Sequence, residues 1–344
     1  MATLTAAFPT LLDFAKSIDP DGKPARVAEI LNQFNEILDD MVWQEGNLPT
    51  GHQVTVRKTI GSATFRLFNQ GVVPRVSTTG QITETCAKIE DRSEIDCALA
   101  KLNGNTAGFR MQQQAGIIES FNQTLAKTLI YGDTTVNPER FNGIVPRYST
   151  ISGTGTTVPN VITAGGSTAS AQTSIYLVGW SPTTVFGIFP KGSAAGLVVQ
   201  DLGEQTIFDT QTPVAGRFQA FVTRFEWNPG LAIADWRYVV RICNIDVAAL
   251  KTSADSSDTA AKLFKWMSLA IDQLFSVTGV RPVFYANQTV RGLLRVQLAN
   301  KSNSFVTLDD WSAGPGILVR PTLKFMGYPV RRCDQILNTE SVVS

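Results

Sequence analysis

Histidine is almost missing from this chain: 344 residues hold one, His52. Nucleophile systems of the Ser/His or Cys/His kind need an imidazole. His52 sits between Gly51 and Gln53 and reads as an exposed turn residue, not a base. Cysteine is scarce as well. Cys86, Cys97, Cys243 and Cys333 are separated by 11, 146 and 90 residues, with no CxxC among them. That excludes a Cys/His zinc site, and the thiols read as small buried hydrophobes in a reducing cytoplasm. Charge is thin, at 17% of residues against about 25% in ordinary soluble domains. Thirty Lys/Arg meet twenty-nine Asp/Glu for a net +1, and the longest basic runs are pairs such as Arg57-Lys58 and Arg331-Arg332. A protein that grips nucleic acid by counterion release needs a basic excess or stripe, and none is visible. No stretch of about 18 residues is free of charged or strongly polar groups, so no membrane-spanning helix is expected. The start, Met1-Ala2-Thr3-Leu4, lacks the basic and apolar regions of a signal peptide, which predicts a protein made in a cytosol. At 43% hydrophobic residues the chain is not disordered, and its length suits two or three units or one large irregular one.

Motifs for chemistry are lacking too. There is no GxxxxGK[ST] loop and no GxGxxG after a strand; Gly192-Ser193-Ala194-Ala195-Gly196 has glycines in the wrong order and reads as a turn. Two carboxylate pairs occur, Asp39-Asp40 and Asp309-Asp310. Neighbours on a helix diverge by about 100°, so Asp39 and Asp40 do not share one site; Asp309-Asp310 before Trp311 reads as a loop or cap. Trp227, Trp236 and Tyr238 read as cross-strand packing, not base-stacking platforms.

What is present is architecture. Over 24–45, Val27, Ile30, Leu31, Phe34, Ile37, Leu38, Met41 and Val42 keep helical spacing, with Pro24 at the start and Gly46 at the stop. Residues 48–90 change character: Val54, Val56 and Ile60, then Phe65 and Leu67, alternate with polar residues around Gly61-Ser62, a type II′ hairpin signal. So polar a strand pair cannot make its own core; it is a surface flap or an arm buried on a partner. Residues 105–131 predict a long helix with Met111, Ala115, Ile118, Leu125 and Leu129 on one face, widened by Ile117 and Phe121, capped by Asn105 or Thr106 and ended by Gly132. A Ser/Thr/Gly-rich loop at 149–173 follows. Strands are expected at 175–178 and 185–189, and runs 217–227 and 231–242 read as a hairpin across Asn228-Pro229-Gly230. Helices capped by Asp258 and over 287–300 flank a strand at 283–285, and short strands near 316–320 and 323–331 close the chain. Strands and helices mix without βαβ alternation, so the class is α+β.

Charge is unevenly spread. Residues 1–50 carry three Lys/Arg against eight Asp/Glu, and residues 281–344 carry eight against four. This reads either as drift of solvated surface charge or as an acidic arm that docks on basic surface, on another copy among the choices. Arms and flaps without a local core are the signature of a subunit completed by its neighbours.

Five phrases make the comparison specific: VWQEGNLPTGHQVTVR (42–57), LNGNTAGFR (102–110), LAKTLIYGDTTVNPERFNGIVPRYS (125–149), VFGIFPKGSAAGL (185–197) and DWRYVVRICNID (235–246). In these the chain resembles the major capsid proteins of tailed double-stranded DNA bacteriophages, nearest to the shell proteins of epsilon-fifteen-like short-tailed phages. The resemblance implies the Hong Kong 97-type capsid fold, with an N-terminal arm (1–47), an extended hairpin loop (48–100) whose tip falls near Gly61-Ser62, a peripheral domain with a spine helix (101–173), an axial domain (174–312) and strands that return to the peripheral domain (313–344). It implies icosahedral shells of hexamers and pentamers around packaged DNA, a virion location after synthesis in the host cytoplasm, and no enzymatic activity or cofactor. Some relatives weld subunits by a Lys–Asn isopeptide bond; Lys58 lies in the hairpin region, but no motif marks its partner. About two dozen residues precede the first predicted helix, so a separate scaffolding protein is expected, besides a portal and room for a decoration protein. The candidate intersubunit contacts are Val54, Val56, Gly61, Ser62, Phe65 and Leu67 in the hairpin and Asp39, Asp40 and Glu45 in the arm. Contact with packaged DNA is expected to be weak and non-specific. Two other classes stay open: a β-rich virion binding module such as a decoration or fibre protein, and a hydrolase built on Asp/Glu pairs.

Overall fold

A computed structural model describes residues 9, 33–102, 104–208, 216–252, 257–300, 306–309 and 322–344. The core is organised by β6 (Gln172–Trp180), in which every residue is buried. It pairs antiparallel with β11 (Val239–Asp246) on one side and β12 (Arg281–Ala286) on the other. A strand covered on both faces reads as a continuous apolar run, and its alternate side chains serve two cores. Tyr176, Val178 and Trp180 enter one cluster with Ile37, Leu125, Leu129 and Phe141. Ile175 and Leu177 enter the other, with Leu250 of α4 (Val247–Thr252) and with Leu263, Met267, Val290 and Leu294. The layers are therefore α3 (Thr106–Tyr131) on one face of the sheet, and α5 (Ser257–Gln273) with α6 (Gln288–Asn300) on the opposite face.

The helix α3 matches its sequence signals. The Asn105 side chain accepts from Gly108 N at 3.1 Å, and at the far end Gly132 N donates to Thr128 O at 2.8 Å. Its last two turns are buried at Leu125, Ala126, Leu129 and Ile130. Its first half packs instead on a separate sheet of β4 (Ile89–Asp96), β9 (Arg217–Trp227) and β8 (Val198–Phe208). Phe109 joins Ile95 and Leu99 there, the latter on the short helix α2 (Cys97–Lys101). Arg110 and Gln114 both donate to Thr223 Oγ1, at 3.0 and 2.9 Å. The predicted apolar face is thus only half used: Met111, Ala115 and Ile118 stay exposed.

Several expectations are corrected. Residues 24–32 of the first predicted helix lie outside the described residues. Of the remainder only α1 (Ile37–Asp40) is helical; the chain extends at Met41, and β1 (Trp43–Glu45) pairs parallel with β7 (Val185–Phe189). Sheet pairing overrides the helical period because Gly187 leaves room for the Trp43 indole; a Cβ there would meet Trp43 Cε3 at 2.8 Å. The hairpin signal at Gly61-Ser62 also fails. The pair is β2 (Gly51–Arg57) with β3 (Thr79–Thr85), in a register from Gly51↔Thr85 to Arg57↔Thr79 whose midpoint is Phe68. Gly61 does not take the positive φ that a type II′ turn requires, whereas Asn69 does, at 66°. The alternation of Phe65 and Leu67 marks side chains that need cover, not a strand pairing with β2.

The 217–242 hairpin is likewise absent. β9 pairs with β4 and β8, while β10 (Gly230–Ile233) crosses to the central sheet and pairs with β7. Pro229 has no N–H for a return ladder, and Gly230 lies so close to Ile188 that a Cβ would stand 2.8 Å from Cγ1. Asp235 Oδ1 then accepts from Arg237 N at 3.0 Å, which closes a 3₁₀ turn at Trp236–Tyr238 and splits the second run. The 149–173 loop contains a short parallel strand, β5 (Val161–Thr163), on β11. The predicted strand at 316–320 lies outside the described residues. The 323–331 run is β14 (Thr322–Phe325) and β15 (Tyr328–Arg332), and β13 (Val306–Asp309) pairs with β14. β15 extends the central sheet beside β12 instead of leaving it; only the tail beyond Arg332 reaches α3.

Candidate assembly site

The nine residues singled out from sequence do not form one site. Val54 and Val56 are half-buried on β2, opposite Ile82 and Gly80. Gly61, Ser62, Phe65 and Leu67 are exposed, Phe65 fully so. They belong to a long arm, 58–78, on which Ile60, Phe65, Leu67, Phe68, Val72, Val73 and Val76 all face outward from the subunit. The root of the arm is fixed. Glu84, 5% exposed, takes a two-pronged contact from Arg147, with Nη2–Oε2 at 2.6 Å, and Arg147 also donates to Gly143 O at 3.1 Å. The loop that follows α3 thereby holds the end of β3. His52 is on β2, not on an exposed turn; its ring meets Phe186 edge-on at 5.4 Å.

Asp39, Asp40 and Glu45 part company. Asp39 is exposed. Glu45 is exposed and accepts from Gly192 N at 2.7 Å, which fastens the Gly192–Gly196 turn. Asp40 is 3% exposed and belongs to the interior of its own chain: Arg281 pairs with it, Arg331 Nε lies 3.3 Å from Oδ2, and Tyr285 OH donates to Oδ2 at 3.0 Å. The acidic stretch does dock on basic residues of the C-terminal stretch at this point, but within one subunit. Asp40 is therefore unavailable as an intersubunit contact.

Sequence reasoning missed a second cluster. Glu340 in the C-terminal tail accepts from Arg241 Nη2 at 2.9 Å, from Ser174 Oγ at 2.5 Å, from Tyr176 OH at 3.2 Å, and from Tyr131 OH at the end of α3. Arg241 also donates to Tyr148 O at 2.9 Å. Burial works to discharge this guanidinium, yet Tyr176 and Glu340 hold its pKa above the usual value. Burial likewise drives the Tyr131 and Tyr176 hydroxyls well above their ordinary range, so both remain donors. The arrangement binds β6, β11, α3 and the tail together, and no side chain in it faces a cleft. The cysteines match their reading: Cys97, Cys243 and Cys333 are buried and Cys86 is half-buried. Burial pushes Cys333 up to about 12 and Cys86 to about 11, which keeps both as unreactive thiols. Among the described residues no three His, Cys, Asp or Glu side chains converge to hold a metal ion.

The family described as major capsid protein GP7 matches residues 19–344. The chain belongs to that family. Among solved structures it is similar to a chain of bacteriophage Epsilon15, at 29% identity with a TM-score of 0.78, over 100% of this chain and 99% of the other. It is also similar to the bacteriophage JBD30 capsid, at 10% identity and a TM-score of 0.49 over 90% and 95% of the two chains. A third likeness is to the capsid of a native GTA particle, at 10% identity and 0.42 over 66% and 95%. No curated protein matches. The α+β architecture is that of the Hong Kong 97-type capsid fold, and the chain is a structural major capsid protein that forms an icosahedral phage shell. Neither a decoration or fibre module nor a hydrolase fits that membership.

Proposed function

We propose that the subunit assembles into hexamers and pentamers through the arm 58–78, which is covered by a neighbouring copy in the shell. One observation carries this reading: seven large apolar side chains project from two strands that have no core of their own. An uncovered apolar edge of this kind invites pairing or aggregation unless a partner covers it. In the same reading residues 1–47 are the N-terminal arm, 48–100 the extended loop, 101–173 the peripheral domain with α3 as its spine, 174–312 the axial domain, and the remainder a closing segment. Val54, Val56, Phe65 and Leu67, with Gly61 and Ser62 between them, are the contacts in the loop, and Asp39 and Glu45 the charged ones. A separate scaffolding protein guides assembly in the host cytoplasm, a portal occupies one vertex, and a decoration protein has room outside. Packaged double-stranded DNA meets scattered Lys and Arg of the inner wall weakly, because a net charge of +1 supplies no basic stripe. The protein works without cofactor or catalysis.

The test is assembly with and without the arm. Replacing 59–77 by a short Gly/Ser linker should leave a folded subunit that electron microscopy finds unassembled, whereas the full chain forms closed particles. Normal particles from the shortened chain would defeat the proposal.

A further inference from the structure

A second apolar feature of the described surface lacks a partner. Segment 33–39, α3 and the end of β9 enclose a groove of about 320 Å³. Phe34 and Ile118 line it and stay 52% and 47% exposed. Trp227 lines it too, and its indole Nε1 is buried without an acceptor among the described residues. A buried N–H with no acceptor is uncommon in a finished structure and points to a missing partner. The lining is acidic as well as apolar. Glu36 and Asp39 belong to it, and Glu119, next to Ile118, accepts from Gln33 N at 2.9 Å. A cation borders the groove: the Arg332 guanidinium lies 5.1 Å from the Phe34 ring centre, and Asp334 already holds it at 2.7 Å.

The arm has the complementary composition. Residues 57–78 contain Arg57, Lys58, Arg66 and Arg75 and no Asp or Glu, a charge of +4. All four cations are exposed. At the turn, Arg66 sits between Phe65 and Leu67, so one short stretch presents a cation amid apolar side chains. We infer that the groove receives the arm tip, residues 65–68, of a second copy of this chain, with Phe65 or Phe68 against Phe34 and Ile118, Arg66 beside Asp39 and Glu36, and a main-chain carbonyl accepting from Trp227 Nε1. This rests on the reading of the arm as an intersubunit element.

Geometry favours another copy over the arm's own subunit. The arm leaves from Thr85 and Cys86, and Cys86 bridges to Gly230, three residues beyond Trp227. The groove strand is therefore beside the root of the arm, while eleven extended residues from Arg57 carry the tip about 35 Å away. At the tip Phe65 and Phe68 are 109% and 94% exposed, touching nothing of their own subunit. Arm and groove are different surfaces of one chain, so their contact is head-to-tail, and such contacts close into rings when the rotation permits.

The experiment places a photoreactive benzoylphenylalanine at Phe68 in the full-length chain, irradiates assembled particles and maps the adducts by mass spectrometry. The expected product has twice the subunit mass and joins residue 68 to peptides that contain 33–39, 118–122 or 227. A double-mass product joined elsewhere overturns the groove and leaves the arm's intersubunit role standing. Adducts within single subunits only would overturn both. A charge exchange tests the same contact without the probe. Arg66→Glu alone and Asp39→Lys alone should each lower particle yield several-fold, and the two together should restore most of it. Failure of the pair to recover, with both chains folded, overturns the inference.

Discussion

The arm 58–78 and the tail 333–344 are both extended segments with almost no regular structure, yet they meet opposite fates. In the tail, Cys333, Ile336, Glu340 and Val343 are buried, and its backbone is held at both ends: Glu340 N donates to Gln172 O at 2.9 Å, and Val343 N to Asn244 Oδ1 at 2.8 Å. In the arm, every residue from Lys58 to Val76 is exposed. Lack of local structure therefore does not tell whether a segment is finished by its own chain or by another. The difference lies in what each carries. The tail brings one carboxylate into a site where Arg241, Ser174, Tyr131 and Tyr176 already converge, and the arm brings apolar side chains to which its own subunit offers no pocket.

The comparison breaks most sharply at Glu340. Glu340→Ala would leave Arg241, 3% exposed, buried without its carboxylate. Removing one partner of a buried ion pair costs about 3–5 kcal/mol, a large share of the roughly 5–15 kcal/mol that a folded protein has in hand. Urea unfolding of the unassembled subunit should show a midpoint lowered to match, with Glu340→Gln intermediate because an amide still accepts from Ser174 and Tyr131. A loss below about 0.5 kcal/mol would mean that the tail rests on the subunit without bracing it.

Asp40 tests the same principle with weaker stakes. Its side chain is 2% exposed, but its cations, Arg281 and Arg331, are 60% and 34% exposed. Both can turn to water when the carboxylate is removed, so Asp40→Asn should cost about 1–3 kcal/mol, the range for losing charged hydrogen bonds. Thermal unfolding of the unassembled subunit measures it. The outer charges behave differently: neutralising Asp39 and Glu45 should leave that unfolding curve in place and reduce the salt sensitivity of assembly. Unchanged salt sensitivity would remove any electrostatic role of these two residues in the shell.

These contrasts also mark what was legible in the sequence. Helix α3 was readable from Asn105 to Gly132 because its period, cap and stop are all local. β6, β7 and β12 were readable as apolar runs because burial on both faces erases alternation. β8 was not: Gln200, Asp201, Glu204 and Gln205 lie on an exposed strand broken by a bulge between Asp201 and Gly203. The Glu340 cluster left no trace, since its partners are 99 to 209 residues away in sequence and no spacing rule connects them. The arm was legible as a segment lacking a core, but its return strand was misplaced by about fifteen residues, because alternation reports a need for cover and not the strand that supplies it. Asp40 was read by charge sign alone, which says that an acidic stretch will meet a basic one and is silent on whether the two share a chain.

The smallest effect expected on the subunit is the most informative about the shell. Phe65→Ser with Leu67→Ser exchanges two side chains that are 109% and 69% exposed and touch no core. Surface changes of this kind fall within about 0.5 kcal/mol, so the unfolding midpoint of the unassembled subunit should not move, while particle formation should fail or require far higher protein concentration. Hydrogen exchange locates the cause. In the unassembled wild-type subunit the amides of 58–78 should exchange at the rate of open chain, because almost none has an internal acceptor, and those of Glu340 and Val343 should be protected by the bonds named above. On assembly the tail should change little and the arm should become protected. An arm that exchanges as fast in particles as in free subunits would show that its apolar side chains remain in water in the shell, and the contrast between the two segments would then say nothing about how subunits join.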